Sequence, residues 1–167
     1  ELCQLNNDCV YTIGGSMGGY AAIYYAAFLG LNGAIVANPQ ISARATVAHE
    51  FDNWEQKIRE CDYLFKDLDM FVLKREKPNL YIEWGDYYAD NIAVRSLLDS
   101  YRSGDSLVIS RKVSWKDHTV DCLSRKSILN AIFFFENSGF VKEKAPRPID
   151  GLGVTVPDSD SWIELNQ

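Results

Sequence analysis

The chain has 167 residues, a length that suits one domain with a hydrophobic core. Its formal net charge of −6 argues against nucleic acid as a partner, because phosphate contacts need clustered lysines and arginines. No apolar run approaches the roughly 20 residues that a membrane span requires. Four cysteines show neither a C-x-x-C pair nor zinc spacing, so we expect reduced thiols and a cytoplasmic location, with a local Cys3–Cys9 disulfide as the alternative.

Strand and helix signals alternate along the first 40 residues. Residues 9–13 form an apolar run that predicts a short buried strand, and residues 19–28 predict a helix. Gly30 and the Asn32-Gly33 pair supply stop and turn signals before a second apolar run over residues 34–37. A strand, a helix and a second short apolar strand in this order predict a βαβ unit with parallel strands.

The stretch from Ile41 to Pro78 carries no strand signal, and its aromatic residues are interleaved with charged ones. Helical patches are predicted at residues 47–54 and 56–65. Residues 41–77 therefore form a helical excursion between two strands, for which an ordinary crossover helix and loop is one interpretation.

The remaining elements again alternate. In chain order they are a strand at 79–84, a helix at 91–101, a strand at 106–110 that extends towards Val113, a loop at 114–120 and a helix at 123–137. From Lys142 onwards prolines and glycines dominate, and this predicts an extended tail. The predicted organisation is therefore a domain over residues 1–141 and a tail over residues 142–167.

A glycine-rich turn with a central serine joins the first predicted strand to the first helix. The sequence there is Gly14-Gly15-Ser16-Met17-Gly18, a G-x-S-x-G pattern in a strand–turn–helix context. With its flanks, residues 11–22, it resembles the nucleophile elbow of the α/β-hydrolase superfamily. The resemblance extends over about residues 8–140 and implies the C-terminal part of that fold. We therefore expect a partial three-layer α/β sandwich, with a mostly parallel sheet flanked by helices and without the N-terminal strands. The resemblance also implies that residues 41–77 are a small helical cap or substrate-facing insertion, the alternative to an ordinary crossover.

The resemblance implies a serine, acid and histidine in that chain order. Ser16 is the predicted nucleophile, and His118 is the predicted base because it lies in the loop between the last strand and the last helix. For the acid we prefer Asp86, which directly follows Gly85 at the carboxyl end of a strand. Asp90 and Glu83 are the alternatives, and Asp90 also suits the N-cap of the next helix.

His49, the second histidine, lies in the predicted cap before the third strand, so chain order argues against it as the base. We expect a surface or helix-capping role for it, with a contact to the substrate as the alternative.

The resemblance also implies an oxyanion hole in which the backbone N–H of Met17 is one donor. The second donor in this fold comes from a loop before the elbow strand, and few residues precede that strand here. We therefore expect an N-terminal part of the same protein, or a partner chain, to complete the sheet and the hole.

The predicted function is that of a serine esterase that forms an acyl-serine intermediate. Its predicted substrate is a small-molecule or glycan ester, and no cofactor or metal is expected, since the triad needs none. The alternative is a catalytically inactive α/β-hydrolase-like binding or assembly module in a surface-polysaccharide pathway.

Overall fold

The computed structural model describes residues 7–51, 53–61, 65–74, 77–102, 106–119, 123–137, 154–155 and 165–166. Strands and helices alternate along this part of the chain, which confirms the predicted α/β class. The strands are β1 Tyr11–Gly15, β2 Gly33–Ala37, β3 Asn79–Trp84, β4 Val108–Lys112, β5 Val154–Thr155 and β6 Leu165–Asn166. The α-helices are α1 Met17–Leu29, α2 Ala43–Val47, α3 Trp54–Glu60, α4 Leu68–Leu73, α5 Tyr88–Tyr101 and α6 Arg125–Asn137.

The sheet is built on four parallel strands in the order β1-β2-β3-β4. The two short strands of the tail both pair with β4, β5 antiparallel and β6 parallel. At the other end of the sheet, the outer edge of β1 has no strand partner among the described residues. In a parallel sheet all carboxyl ends meet at one edge, so the loops after β1, β2, β3 and β4 gather there.

Alternate residues of the strands pack against helices on opposite faces of the sheet. On one face, Ala34 and Val36 of β2 belong to a core that includes residues of α1, α2, α4 and α5. On the other face, Ile35 packs with Ala131 and Phe135 of α6. All five residues of β2 are buried, as a strand covered on both faces requires.

The excursion between β2 and β3 contains three short helices rather than the two predicted patches. The Ser42 side chain caps α2 by accepting a hydrogen bond of 3.2 Å from the Ala45 N–H. Glu50 and Asn53 have φ values of 55° and 62°, a backbone conformation that interrupts a helix. The predicted helix at 47–54 is therefore wrong.

Some of the sequence predictions concern residues that lie outside the described part of the chain. Cys3 and most of the predicted tail, including the boundary near residue 141, are among these residues. Cys9 and Cys61 are exposed free thiols. Among the helices that the structure describes, none combines the length and apolar character needed to cross a bilayer.

Candidate active site

Ser16 occupies the sharp turn between β1 and α1. Its φ of 52° and ψ of −122° lie in a conformation that a non-glycine residue rarely adopts. The end of β2 and the loop after it fix this backbone: the Ser16 N–H donates to the Ala37 carbonyl at 3.0 Å, and the Gln40 N–H donates to the Ser16 carbonyl at 3.1 Å. The turn therefore presents the serine side chain at the carboxyl edge of the sheet.

The glycines around Ser16 differ in what they contribute. A Cβ on Gly14 would lie 2.2 Å from the Gly18 carbonyl oxygen, so no side chain fits there. A Cβ on Gly19 would lie 2.8 Å from the Cβ of Pro39, whereas a Cβ on Gly18 would have no heavy atom within 4 Å. The close approach of strand, helix and neighbouring loop therefore depends on Gly14 and Gly19.

Ser16, His118 and Asp90 form a continuous hydrogen-bonded chain. His118 Nε2 is 2.9 Å from Ser16 Oγ, and His118 Nδ1 is 2.8 Å from Asp90 Oδ1. The Asp90 side chain is fully buried in the first turn of α5, whose N-terminal end favours a negative charge. The carboxylate holds the Nδ1–H tautomer of His118, which leaves Nε2 free to accept the serine proton.

The expectation that Asp86 is the acid is corrected by this geometry. The Asp86 side chain is 51% exposed, and its carboxylate pairs with the Lys112 ammonium at 3.1 Å. The physical reason is the start of α5 at Tyr88, three residues earlier than predicted, which places Asp90 inside the helix rather than at its N-cap. Glu83, the third choice, is buried against the Tyr81 hydroxyl and the Arg111 guanidinium.

His49 lies in the site, so the expected surface or capping role is wrong. Its side chain is buried, with its ring centroid 4.5 Å from that of His118 and its Nε2 3.6 Å from Asp90 Oδ1. The Thr46 hydroxyl donates to Gln40 Oε1 at 2.9 Å, which turns the Gln40 amide nitrogen towards His49 Nε2 at 2.8 Å. His49 therefore accepts at Nε2 and carries its proton on Nδ1.

Burial, and then the neighbouring His118, lower the pKa of His49 to about 4. A protonated His49 would also direct an N–H at the Gln40 amide nitrogen. His49 is therefore neutral at pH 7, and Asp90 has a single charged partner when His118 takes a proton.

Asn38, at the end of β2, connects the loops that carry the site. Its buried side-chain carbonyl accepts from the Gly85 N–H at 3.1 Å, and its amide donates to the Thr119 carbonyl at 2.5 Å. Gly85 precedes the turn into α5, and Thr119 follows His118. Sequence reasoning missed this residue, although its place in Asn38-Pro39-Gln40, at the carboxyl end of a central strand, was a usable signal.

Aromatic rings surround the imidazole of His118. The Phe51 and Tyr87 centroids lie 6.1 and 6.3 Å from it, and the Phe51 ring also stacks on His49. The His118 side chain is 13% exposed as a result. These rings form an aromatic wall next to the imidazole.

One set of groups in the described residues has the composition of a metal site. His49, Asp90 and His118 each offer a ligand atom, and these atoms lie within 4.8 Å of one another. The hydrogen bond between His118 and Asp90 and the contact of His49 with Gln40 already engage them. These contacts give no reason to place a cation there.

The predicted oxyanion donor, Met17, is the first residue of α1 and directly follows Ser16. The N–H of a first helical residue has no acceptor within its own helix. The position suits an oxyanion donor, and the role itself stays a prediction.

The fold and this site together define a parallel α/β protein with a serine, a histidine and an aspartate at the carboxyl edge of its sheet. Neither a protein-family model nor a curated protein matches the chain. Three solved structures match the chain, and all three are of a capsule O-acetyltransferase of Neisseria meningitidis serogroup A. One has no stated ligand, one is in complex with caged gadolinium, and one is a mutant in complex with CoA. Each is 16% identical to the chain.

The TM-scores of these structures are 0.55 for the protein as such, 0.56 with gadolinium and 0.55 with CoA. Each match covers 81% of this chain but only 57% or 58% of the solved chain. The chain therefore spans less than two thirds of the length of these structures. At this identity the likeness shows a shared α/β fold.

Proposed function

We propose that this chain carries the catalytic triad of a serine acyltransferase of α/β-hydrolase type, which passes an acyl group to a hydroxyl of a glycan. The observation that carries the proposal is the hydrogen-bonded chain of Ser16, His118 and Asp90, with distances of 2.9 and 2.8 Å. Its members follow the chain order serine, acid, histidine, in agreement with the elbow at Ser16.

In the first half of the reaction, Ser16 Oγ attacks the carbonyl carbon of an acyl donor while His118 Nε2 takes the serine proton. The donor's leaving group departs with that proton, and the acyl group remains on Ser16 as an ester. Asp90 holds the imidazole in place and stabilises its cation. The Met17 N–H is the proposed donor to the oxyanion, and a second donor would come from a segment beyond the described residues.

Transfer and hydrolysis use the same triad and differ in what attacks the acyl-serine. Two observations support transfer. The Phe51 and Tyr87 rings lie beside His118, whose side chain is 13% exposed, and a site with little water favours transfer over hydrolysis. The solved structures of similar fold are those of an O-acetyltransferase, one of them in complex with CoA. Since the chain spans less than two thirds of those structures, we also propose that further strands complete the sheet at β1.

The nucleophile is tested with a fluorophosphonate probe on the purified protein. We expect labelling of the wild type and none of Ser16→Ala. Ser114→Ala is the matched control, because Ser114 is exposed and lies outside the triad. Labelling of Ser16→Ala at the wild-type rate would remove the proposal.

The acyl acceptor is tested separately, with 4-nitrophenyl acetate as donor and mass spectrometry of the protein and of added oligosaccharides. We expect an acetyl group on Ser16 first and on a sugar hydroxyl afterwards. Acetate alone, with every sugar unmodified, would make the protein an esterase. A folded wild type that is neither labelled nor acetylated would favour the inactive binding module. The cytoplasmic location and the absence of a cofactor stay predictions.

A further inference from the structure

A cavity of about 830 Å³ lies beside α2 and α3, in the predicted cap. Phe51 lines it and is also part of the wall around His118, with 6.1 Å between the two ring centroids. Phe51 is therefore shared between the lining of the cavity and the wall around His118. Its volume falls in the range of small-molecule sites, roughly 300–1,000 Å³, which accommodates more than one sugar ring.

The chemistry of the cavity wall combines an aromatic ring with polar and acidic groups. The Phe51 side chain is 42% exposed and offers a ring face to a ligand. Asn53 and Gln56 supply amides, and Glu50 and Glu55 supply carboxylates. Together these groups suit the apolar faces and the hydroxyl groups of a sugar.

The charges of the residues that line the cavity discriminate between ligands. Arg59 is the basic residue that lines the cavity, and its guanidinium already pairs with Glu55 at 2.5 Å. Because Glu50 adds a second carboxylate, the described residues that line the cavity have a formal net charge of −1. Phosphate groups, which an acyl donor such as CoA carries, require free basic groups instead. The cavity therefore favours an uncharged ligand over an anionic one.

We propose that this cavity binds the acyl acceptor, and that the acceptor is an uncharged oligosaccharide. This inference rests on the proposed acyl transfer. With the sugar against Phe51, one of its hydroxyl oxygens attacks the carbonyl carbon of the acyl-serine, and His118 Nε2 takes the hydroxyl proton. The ester bond to Ser16 then breaks, His118 returns the proton to Ser16 Oγ, and the acyl group leaves as an ester of the sugar.

The test measures acetyl transfer from 4-nitrophenyl acetate to chitotriose, an uncharged trisaccharide, and to trigalacturonate, an anionic one. The variants are Glu50→Lys and Phe51→Ala. Glu136→Lys makes the same charge change at the exposed end of α6, outside the cavity, and is the matched control. The rate at which Ser16 becomes acetylated without any sugar is measured for every protein.

We expect the wild type and Glu136→Lys to use chitotriose at least roughly tenfold better in kcat/KM than trigalacturonate. Glu50→Lys should reduce or reverse this ratio, and its rate of Ser16 acetylation without sugar separates an effect on the acceptor from an effect on the formation of the acyl-serine. Phe51→Ala should raise the KM for chitotriose roughly tenfold, because stacking on the ring is lost.

The inference is overturned if the wild type prefers trigalacturonate, if neither sugar is acetylated, or if Glu50→Lys and Glu136→Lys have the same ratio. In each case acetylation of Ser16 still reports on the proposed function. A wild type in which Ser16 is never acetylated removes the proposed function itself.

Discussion

Replacing Asn38 by aspartate exchanges the amide NH2 group of the side chain for a carboxylate oxygen. This side chain joins the loops of the site. One oxygen of Asp at this position keeps the hydrogen bond from the Gly85 N–H. The other replaces the amide that donates to the Thr119 carbonyl, so two acceptors face each other with no hydrogen between them. We expect Asn38→Asp to fold, to be less stable at neutral pH and to hold His118 less well.

The size of the effect follows from burial, since Asn38 is 0% exposed. An unpaired buried acceptor costs about 1–3 kcal/mol, and more when it is charged. For a chain of this length each kcal/mol lowers Tm by about 2–4 °C, which gives a loss of about 2–12 °C. Because Thr119 follows His118, a shift of the loop by about 1 Å would slow the labelling of Ser16 about 10²-fold.

The loss of stability should depend on pH in a defined direction. Burial raises the pKa of a carboxyl group above its unfolded value, and the protonated carboxyl can again donate to the Thr119 carbonyl. The folded variant then binds a proton more tightly than the unfolded one. Its stability relative to wild type therefore falls as the pH rises through the folded pKa, and recovers as the pH falls.

The assay is thermal unfolding of wild type, Asn38→Asp and Asn130→Asp between pH 5 and pH 8, with fluorophosphonate labelling at pH 8. Asn130→Asp makes the same chemical change at an exposed position of α6 and controls for added charge. An Asn38→Asp variant as stable as wild type at pH 8, or one whose deficit does not shrink towards pH 5, would refute the role given to Asn38.

Three further predictions concern the acid, the elbow and the second histidine. Asp90→Asn should slow labelling of Ser16 about 10³–10⁴-fold and Asp86→Asn by less than about fivefold; the reverse order would restore Asp86 as the acid. Gly18→Ala should keep the labelling rate of Ser16, and its free energy of unfolding in urea should rise by up to about 1 kcal/mol. The Cβ of Gly19→Ala would meet Pro39, so its free energy of unfolding should fall by about 1–3 kcal/mol. The pKa of His49 is lowered from 6.5 to about 4, so the free energy of unfolding of the wild type should fall by up to roughly 3 kcal/mol as the pH falls from about 6.5 to 4. This dependence of stability on pH should be weaker in His49→Phe, and the same dependence in both proteins would contradict the lowered pKa.

The sequence predicted the elements whose patterns are local. The apolar runs of β2 and β3 and the stop at Gly30, whose φ is 63°, stand where the patterns place them. Ser16 and His118, predicted from the elbow and from chain order, are hydrogen-bonded in the structure. For the strands, the stop at Gly30 and the elbow, a few adjacent residues carry the signal, whereas His118 follows from the order of the predicted elements along the chain.

What the sequence did not predict depends on contacts between distant segments. Asp90 was the second choice because the start of α5 could be placed only to within a few residues, and that start decides which aspartate faces His118. His49 was expected at the surface because nothing in its neighbours shows that the chain folds back onto Asp90. Asn38 has partners 47 and 81 residues away, beyond any local pattern.

The hydrogen bonds of the Asn38 side chain also couple substitutions in different loops of the site. Because this side chain bonds two loops, and the N–H of Gln40 bonds the Ser16 carbonyl, substitutions in these loops share partners. Their effects should not add, and a double-mutant cycle across any two of the loops would report the coupling. Anyone redesigning the site would have to exchange the loops together, since a histidine loop grafted alone would lack the Asn38 amide that donates to its Thr119 carbonyl.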